Sequence, residues 1–294
     1  MDINAANLTL LQRAVDVAFK RGMADEYTKN SLGSMTGLFR EFTGTKSIVD
    51  FPFSDFFPGF KEWAGDRVIH NVKTGIFQIV ARSFEDSVSI AMKALEEDDY
   101  GIYMDILSDM AKMWEVLKAE IIMEVFLLNK VCFTGKGIFA TNHKYGKNTL
   151  GNLVTDALTE ASFEAALAAP AGWKFANGKP VRTRFTHLYV GPALESAAKK
   201  LVRAMDDNGA TNVNANRVVV EVLPDIAGDY AQDWFLVDQS GVIKPIGLIV
   251  PKTPSPKLPT DYYHVEKEGA AVALADGRAE AFPTFPHLVY AGRP

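Results

Sequence analysis

Gly135, Gly137 and Ala140 have the G-x-G-x-x-A spacing of a dinucleotide-binding loop and directly follow the apolar run VCFT. In such a loop a helix begins at the glycines, and its N-terminal N–H groups bind the pyrophosphate. The residues that follow here, ATNHKYGKN, are not typical of a helix start. We therefore interpret the glycines as a turn between strands and keep a nucleotide-binding α/β enzyme as an alternative.

The other side chains that could react or bind a metal are isolated from one another. Cys132 is the single cysteine and lies in an apolar run, which predicts a buried, inert thiol, excludes an internal disulfide and favours a reducing compartment. The acidic run EEDD at 96–99 is typical of a helix start. No HxH or HxxxH pair occurs among the five histidines, His70, His143, His187, His264 and His287. We predict no catalytic residue, no metal and no cofactor.

Composition and charge exclude several classes of protein. The chain has 294 residues, of which 48% are hydrophobic, so it can bury a sizeable core. A net charge of -5 argues against a broad basic surface for gripping nucleic acid. No apolar run reaches the roughly 18 residues that span a bilayer. The N-terminus, with Asp2 and the interruptions Gln12, Arg13 and Asp16, does not resemble an export signal, so we expect a soluble cytoplasmic chain.

The first half of the chain predicts a short helix, an extended arm and one long helix. Apolar residues at three- and four-residue steps indicate the short helix: Leu8, Leu11, Val15, Ala18 and Phe19. The Gly-, Ser- and Pro-punctuated segment 33–55 predicts an arm that lies on another surface. An apolar stripe from Asp98 or Asp99 to about Asn129 predicts a helical spine of roughly 45 Å.

The stretch FFPGFKEWAGDR, residues 56–67, places an aromatic cluster beside two predicted turns. It is followed by RVIHNV and IFQIVARSF, two β-prone runs separated by Lys73, Thr74 and Gly75. This spacing predicts a projecting hairpin with Gly75 at a positive φ. An isolated hairpin is only marginally stable in water, so the aromatic residues at its base are expected to need a partner surface.

The second half predicts mixed α and β structure without regular alternation. Thr159 is expected to cap a helix, Asn177-Gly178 to form a turn, and Pro192 to begin a helix after a strand at about 185–190. VVVEVL, DWFLVD and IKPIGLIV predict strands. PKTPSPKLP, 251–259, predicts a connector, and the tail predicts short strands around an Asp276-Gly277 turn.

Six segments stand in a fixed order along the chain: FPGFKEWAGDRVIHNV, FEDSVSIAMKALEEDDYGIY, ATNHKYG, LTEASFEAA, HLYVGPALESAAKKLV and DGRAEAFPTFPHLVYAG. In this order they resemble the Mu-like phage major head subunit family, whose members have the Hong Kong 97 type of capsid fold. The resemblance covers nearly the whole chain from about residue 50, and the first 50 residues carry it weakly. Pro283 and Pro286 depart from the uninterrupted strand expected near the end.

The resemblance implies an α+β fold of four parts. These are an N-terminal helix and arm at 1–50, an E-loop hairpin at 51–84, a peripheral domain at 85–139 and 236–294, and an axial domain at 140–235. The spine helix, about 98–129, would belong to the peripheral domain. The E-loop would lie across a neighbouring subunit, and the inter-subunit contacts expected from it are Phe56, Phe57, Phe60, Trp63 and Arg67.

The implied function is structural: self-assembly through pentamers and hexamers into the icosahedral shell of a tailed phage or prophage. The implied partners are further copies of the chain and proteins of the scaffold, portal and decoration types. Such a shell encloses double-stranded DNA without sequence-specific binding and is assembled in the bacterial cytoplasm, with no membrane. The alternative on the same fold is an encapsulin-like compartment that encloses an enzyme. No position here matches the lysine and asparagine that some relatives crosslink.

Overall fold

The computed structural model of the chain describes residues 5–24, 33–53, 75–91, 101–203, 205, 212–257 and 270–294. Within these ranges the helices are α1 (Ala5–Met23), α2 (Ile102–Leu127), α3 (Glu160–Ala168) and α4 (Glu195–Val202). Short 3-10 helices lie at Gly33–Met35, Ala169–Gly172, Pro192–Leu194, Gly228–Tyr230 and Pro286–Leu288.

Most strands of the described residues belong to two five-stranded sheets. In the first, β13 (Ala270–Pro283) pairs antiparallel with β11 (Ile246–Lys252), β12 (Pro256–Lys257) and β4 (Arg82–Ala91), while β1 (Phe39–Phe42) runs parallel to β11. The second has the order β7 (Leu153–Val154), β14 (Val289–Gly292), β10 (Trp234–Val237), β8 (His187–Val190) and β9 (Val219–Val222). Two ribbons pair β2 (Ile48–Phe53) with β3 (Gly75–Val80) and β5 (His143–Tyr145) with β6 (Asn148–Leu150).

The long helix α2 confirms the predicted spine, although its limits differ. It begins at Ile102, after Gly101 in the left-handed region with φ 71°. The proposed caps, Asp98 and Asp99, lie outside the described residues. Its 26 residues make a rod of about 39 Å.

The spine ends at a Schellman motif, a bonded reversal in which a left-handed residue follows the last helical turn. Asn129 has φ 51° and its N–H donates to the Phe126 carbonyl, while the N–H of Lys130 donates to the Val125 carbonyl. The Asn129 side chain also exchanges two hydrogen bonds with the backbone of Phe139. The helix end is therefore tied to the loop that follows it.

One apolar core joins the C-terminal half of α2 to both sheets. Ile122, Val125 and Phe126 of the helix are fully buried in it. Leu248 and Ala281 enter from the first sheet, and residues of the second sheet complete the same cluster: Tyr189, Phe235, Val237, Val289 and Ala291. Neither sheet is thus a separate packing unit.

The second sheet is covered on both faces, which explains the unbroken apolar run WFLV in β10. Phe235 and Val237 face the shared core with α2. Trp234 and Leu236 alternate to the opposite face, where α3 contributes Phe163 and α4 contributes Ala198. All four residues of β10 are buried.

The N-terminal helix α1 packs on the N-terminal half of α2, as its predicted apolar stripe requires. Val15, Ala18 and Phe19 are buried against Leu107 and Ala111. The two helices approach closely at Gly22, where an added Cβ would lie 2.0 Å from the Ser108 carbonyl oxygen. Glycine is required at this crossing because there is no space for a side chain between the two helices.

Three local predictions in the second half are confirmed. Thr159 caps α3 in a capping box, since its Oγ1 accepts from Ser162 N–H and Ser162 Oγ accepts from Thr159 N–H. Gly178 has φ 78° in the Asn177-Gly178 turn. Pro192 opens the 3-10 turn between β8 and α4.

The predicted extended arm at 33–55 is wrong for much of its length. Leu38 is fully buried in the shared core, and β1 adds to the first sheet beside β11. The sequence of this segment does not show the alternation of apolar and polar residues that is typical of a strand. The strand β1 has only four residues, of which Phe39 and Phe42 are half-buried while Arg40 and Glu41 are exposed. This segment belongs to the body of the protein as a sheet edge.

The hairpin is also paired differently from its prediction. β3 bonds to β2, with Gly75 opposite Phe53, and Ala81 separates it from β4, which joins the first sheet. The run RVIHNV lies outside the described residues. Gly75 is not at a positive φ; instead, an added Cβ would meet the Phe53 ring at 2.2 Å.

The predicted turn at Asp276-Gly277 is wrong, because both residues lie inside the 14-residue strand β13. Gly277 is needed there for packing: an added Cβ would lie 2.6 Å from Cη2 of Trp114. The predicted connector at 251–259 is likewise part strand, since Lys252 pairs with Arg278 and Pro256 with Ala275. Pro283 ends β13, and Pro286 begins the 3-10 turn before β14.

We expect Gly277→Val to destabilise the subunit by about 2 kcal/mol, because the new side chain would displace the buried ring of Trp114. Urea unfolding followed by fluorescence measures the difference. The matched control is Gly44→Val, at a position with no atom within 4 Å of the added Cβ. Equal unfolding midpoints for the two variants would contradict this account of Gly277.

Candidate inter-subunit surface

The β2–β3 ribbon exposes apolar residues on one of its two faces. Its strands pair from Ile48 opposite Val80 to Phe53 opposite Gly75. Side chains alternate between the faces of a strand, so one face packs inward and the other faces outward. The two faces have separate roles.

Aromatic packing anchors the inner face of the ribbon to the first sheet. The ring centroid of Phe51 lies 5.8 Å from that of Phe42 in β1 and 5.1 Å from that of Phe282 in β13. Ile79 is buried in the same cluster, together with Ile249 of β11. Edge and tilted ring contacts of this kind add about 0.5–1.5 kcal/mol per pair to the burial of area.

A second aromatic contact holds the far end of the ribbon. Phe53 stacks on Phe133 with ring centroids 4.4 Å apart, and Phe133 packs edge-on against Phe285. Gly75, opposite Phe53, leaves the space that this ring occupies. The inner face is therefore fixed along its whole length.

The outer face of the ribbon is apolar at both ends and polar at its centre. Ile76 is 70% exposed, Val80 58% and Ile48 54%. Ile48 lies opposite Val80, and Pro52 lies opposite Ile76. Between these pairs the Gln78 amide donates to the Asp50 carboxylate at 3.4 Å. We define the outer face as Ile48, Asp50, Pro52, Ile76, Gln78 and Val80.

Four charged side chains lie where the ribbon joins β4, and we call them the root cluster. Arg82 contacts carboxylate oxygens of Glu124 and Glu280, each at 2.6 Å. Lys130 contacts the same two carboxylates, at 3.1 Å and 2.6 Å respectively. Two cations thus alternate with two anions. They link β4 and β13 to α2 and to Lys130, three residues beyond the end of that helix.

Two members of the root cluster, Glu124 and Arg82, have a pKa displaced in the direction that favours pairing. Burial alone would raise the pKa of Glu124, but hydrogen bonds from Arg82 and Lys130 outweigh it and lower the pKa. Burial alone would likewise lower the pKa of Arg82, yet the two carboxylates raise it. Glu124 and Arg82 are therefore both charged at neutral pH.

The predicted contact residues Phe56, Phe57, Phe60, Trp63 and Arg67 lie outside the described residues. They belong to 54–74, the segment between the last residue of β2 and the first of β3. The outer face and the root cluster were not found from the sequence. The outer face could have been found from β2, in which Ile48, Asp50 and Pro52 alternate with more apolar residues. The root cluster could not, because Arg82 and Glu280 are 198 residues apart and leave no local pattern.

The glycine-rich segment is a tight turn, as its interpretation from the sequence requires. Val131 and Gly137 form an isolated antiparallel bridge around Gly135, whose φ is 75°. The Gly135 N–H donates to the Cys132 carbonyl, and the residues after Gly137 do not begin a helix. The backbone here is closed on itself and does not present a helix N-terminus.

The side chains of Cys132 and His143 are buried beside this turn. Burial raises the pKa of the Cys132 thiol, which contacts Thr134 Oγ1 at 3.1 Å. Burial lowers the pKa of His143, whose Nδ1 lies 2.8 Å from the same hydroxyl. Both groups are uncharged at neutral pH, so their contacts are structural hydrogen bonds.

The described ranges contain neither a metal-binding cluster nor a membrane-spanning helix. Among those residues, no three His, Cys, Asp or Glu side chains are grouped so as to hold a metal ion. Within the same ranges, no helix is both long and apolar enough to cross a membrane.

The model of one protein family matches most of the chain. It is described as "Mu-like prophage major head subunit gpT", and it matches residues 8–157 and 145–226. The major capsid protein of Escherichia phage Mu is 30% identical over 97 residues, 32% of each chain. The Mu-like prophage FluMu major head subunit of Haemophilus influenzae is 24% identical over 149 residues, 50% of this chain and 48% of the relative. The matches thus span about half or less of these relatives.

Solved phage capsid structures share the fold. The procapsid of bacteriophage JBD30 matches 99% of this chain and 76% of its own, with a TM-score of 0.59 and 17% identity. The mature capsid of bacteriophage PhiM1 matches 88% of this chain and 86% of its own, with a TM-score of 0.58 and 10% identity. The chain therefore has the Hong Kong 97 type of phage capsid fold. More narrowly, it belongs to the Mu-like prophage major head subunit gpT family, which confirms the resemblance seen in the sequence.

We expect Glu124→Gln to lower the free energy of unfolding at pH 7, because the variant loses the charge that pairs with Arg82 and Lys130. The folded-state pKa of Glu124 is below its unfolded value, so its stabilising contribution is complete above the unfolded pKa and disappears as pH falls through the folded pKa. The difference between the variant and the wild type should therefore narrow as the pH falls below the ordinary glutamate pKa of about 4.3.

Urea midpoints at pH 7 and at about pH 3 measure this narrowing. The matched control is Glu41→Gln, an exposed glutamate of β1, which should leave the midpoint unchanged at both values. A constant difference between Glu124→Gln and wild type at the two pH values would show that the charge of Glu124 does not stabilise the fold.

Proposed function

We propose that this chain is a structural major capsid protein whose copies assemble into a closed icosahedral shell around phage DNA. The observation that carries the proposal is agreement of fold with the JBD30 procapsid subunit over 99% of this chain, in a chain whose family is that of Mu-like major head subunits. A shell subunit acts through repeated contacts and needs no reaction centre. We accordingly assign it no enzymatic activity.

The proposed division of the subunit follows the two sheets. The peripheral part comprises 85–139 and 236–294, including α2, and the axial part comprises 140–235. The shared core around Phe126 and Phe235 would hold the two together. β14 would then reach from the peripheral part into the second sheet, where it pairs with β10 and β7.

The ribbon and the segment 54–74 would form the E-loop, the element that contacts a neighbouring subunit. The outer face supports this role, because Ile76 and Val80 expose apolar area that a neighbour could cover. Burying one such side chain contributes about 1.5–3 kcal/mol. Phe56, Phe57, Phe60 and Trp63 would add aromatic anchors, with Arg67 pairing at the rim.

Closure into a shell follows from repeating one contact with a fixed rotation. The anchored inner face supports a fixed direction for the ribbon, since rings at both ends attach it to the body. Pentamers and hexamers would be the units of the closed shell. Many modest contacts, each repeated over all copies, would give the shell its strength.

The net charge of -5 fits a container for DNA, because like charges keep the inner wall from adhering to the genome. Double-stranded DNA would be enclosed without sequence-specific binding. Assembly would take place in the bacterial cytoplasm, with scaffold, portal and decoration proteins as further partners, and the virion capsid would be the final location.

Size-exclusion chromatography followed by negative-stain microscopy of the void fraction tests the proposal. We expect the full chain to give closed shells or capsomer rings. A monomer that also binds a nucleotide saturably would overturn the proposal in favour of an enzyme.

We expect the double variant Ile76→Ser and Val80→Ser to keep the fold but to lower the yield of assembled particles at least tenfold. It removes apolar area from the outer face only, where both residues are exposed. The matched control is Val213→Ser with Val242→Ser, at valines that are 82% and 80% exposed elsewhere. Equal particle yields for the two double variants would exclude the outer face from assembly.

Trp63→Ala tests the segment between the strands. We expect a folded subunit, with the circular dichroism spectrum of the wild type, that assembles poorly because an aromatic anchor of the interface is lost. Microscopy counts the full-size shells. A normal yield of such shells would remove Trp63 from the proposed contact.

A further inference from the structure

An apolar groove of about 320 Å³ lies between α1, α2 and the first sheet. Trp114 of α2 forms its floor beside Gly277, whose lack of a side chain leaves room for the ring. Phe84 of β4, Phe19 of α1 and Met113 of α2 form its walls. Met113 is 51% exposed, so the groove is open to solvent along this side.

The groove continues along the spine as an apolar stripe. Ile102, Ile106, Met113 and Leu117 recur at helical spacing and share one face of α2. Ile102 is 56% exposed and Ile106 41%. From Ile102 to Glu120, which lines the far end of the groove, the helix advances about 27 Å. A helix of about 18 residues has the same length.

The rim of this surface is acidic. Glu85, Asp86 and Glu120 line the groove, and no lysine or arginine is among its described lining residues. The helix α2 as a whole carries five carboxylates and two lysines. Both lysines pair with acids of their own helix, Lys112 with Asp109 and Lys118 with Glu115. The charge left along the stripe is therefore negative.

We propose that this surface binds a basic amphipathic helix from a separate protein. The partner would lay an apolar ridge of about five turns into the groove and along the stripe, with lysine or arginine on both sides of the ridge. Its apolar side chains would contact Met113 and Trp114, and its cations would pair with Asp86 and Glu120. Opposite charge on the rim would set the orientation and raise the association rate.

The groove and the outer face of the ribbon favour partners of different charge. The outer face carries one carboxylate, Asp50, which already accepts a hydrogen bond from Gln78. The carboxylate of Glu85 lies on the other face of β4, where it accepts a hydrogen bond from Ser87 Oγ. The groove itself combines exposed apolar area with two carboxylates, Asp86 and Glu120, that have no cationic partner among the described residues. An uncharged or acidic partner would leave those carboxylates near apolar area without compensation.

A fluorescently labelled 18-residue leucine–lysine peptide with one apolar ridge is the probe, and fluorescence anisotropy measures its dissociation constant. We expect the double variant Asp86→Asn and Glu120→Gln to bind it at least tenfold more weakly than wild type. The matched control is Glu41→Gln with Asp229→Asn, which neutralises two exposed carboxylates outside the groove and should stay within twofold. Circular dichroism confirms that both double variants are folded.

Two further peptides and one further variant complete the test. Replacing the lysines of the peptide by glutamate, or scrambling its sequence so that the ridge is lost, should abolish binding. Met113→Ser tests the apolar half of the surface and should weaken binding about tenfold. Equal loss of binding in the two double variants, or equal binding of the scrambled peptide, would overturn the proposal.

Light scattering distinguishes a second copy of this chain as the occupant. If the wild type forms an oligomer that the groove double variant does not form, and the peptide does not bind the wild type, the surface is a contact between copies and the proposal fails. Loss of peptide binding with normal particle assembly supports the proposal. Because assembly and peptide binding are read separately, failure here leaves the proposed shell function untouched.

Discussion

The fold depends on the burial of the C-terminal half of α2 between two sheets. Ile122, Val125 and Phe126 have no exposed surface, and their neighbours come from both sheets at once. The end of the helix is held by the Asn129 reversal and by Arg293, which donates to the Leu127 carbonyl at 3.0 Å. Because both sheets share this one helix, a displacement of the spine would be transmitted to each of them.

Local sequence signals predicted those elements whose geometry is set by nearby residues. The capping box at Thr159, the Asn177-Gly178 turn and the helical period of α2 each depend on residues within a few turns of one another. The two buried strands β10 and β11 were also found, because their apolar runs are continuous. The family resemblance supplied the arrangement of these elements in space.

The wrong predictions share one cause: in each, the residue type is explained by a contact with a residue that is distant in the sequence. Gly75 and Gly277 have the composition of turns, but each lies in a strand where an aromatic ring occupies the space of a side chain. The segment 33–55 has the composition of a loop, yet Leu38 enters the main core. The root cluster joins Arg82 to Glu280 across 198 residues, and no local pattern reveals such a pairing.

The position of β14 sets an order of events during synthesis. Its four residues lie between β7 and β10, so β7 stays separated from the rest of the second sheet until residue 292 has been made. Until then, β10 has an unpaired edge, because its only other neighbour in the sheet is β8. The second sheet can therefore close only after β14 has been made, whatever the order in which its other strands pair. An unpaired edge of this kind is open to pairing with another chain until β14 occupies it.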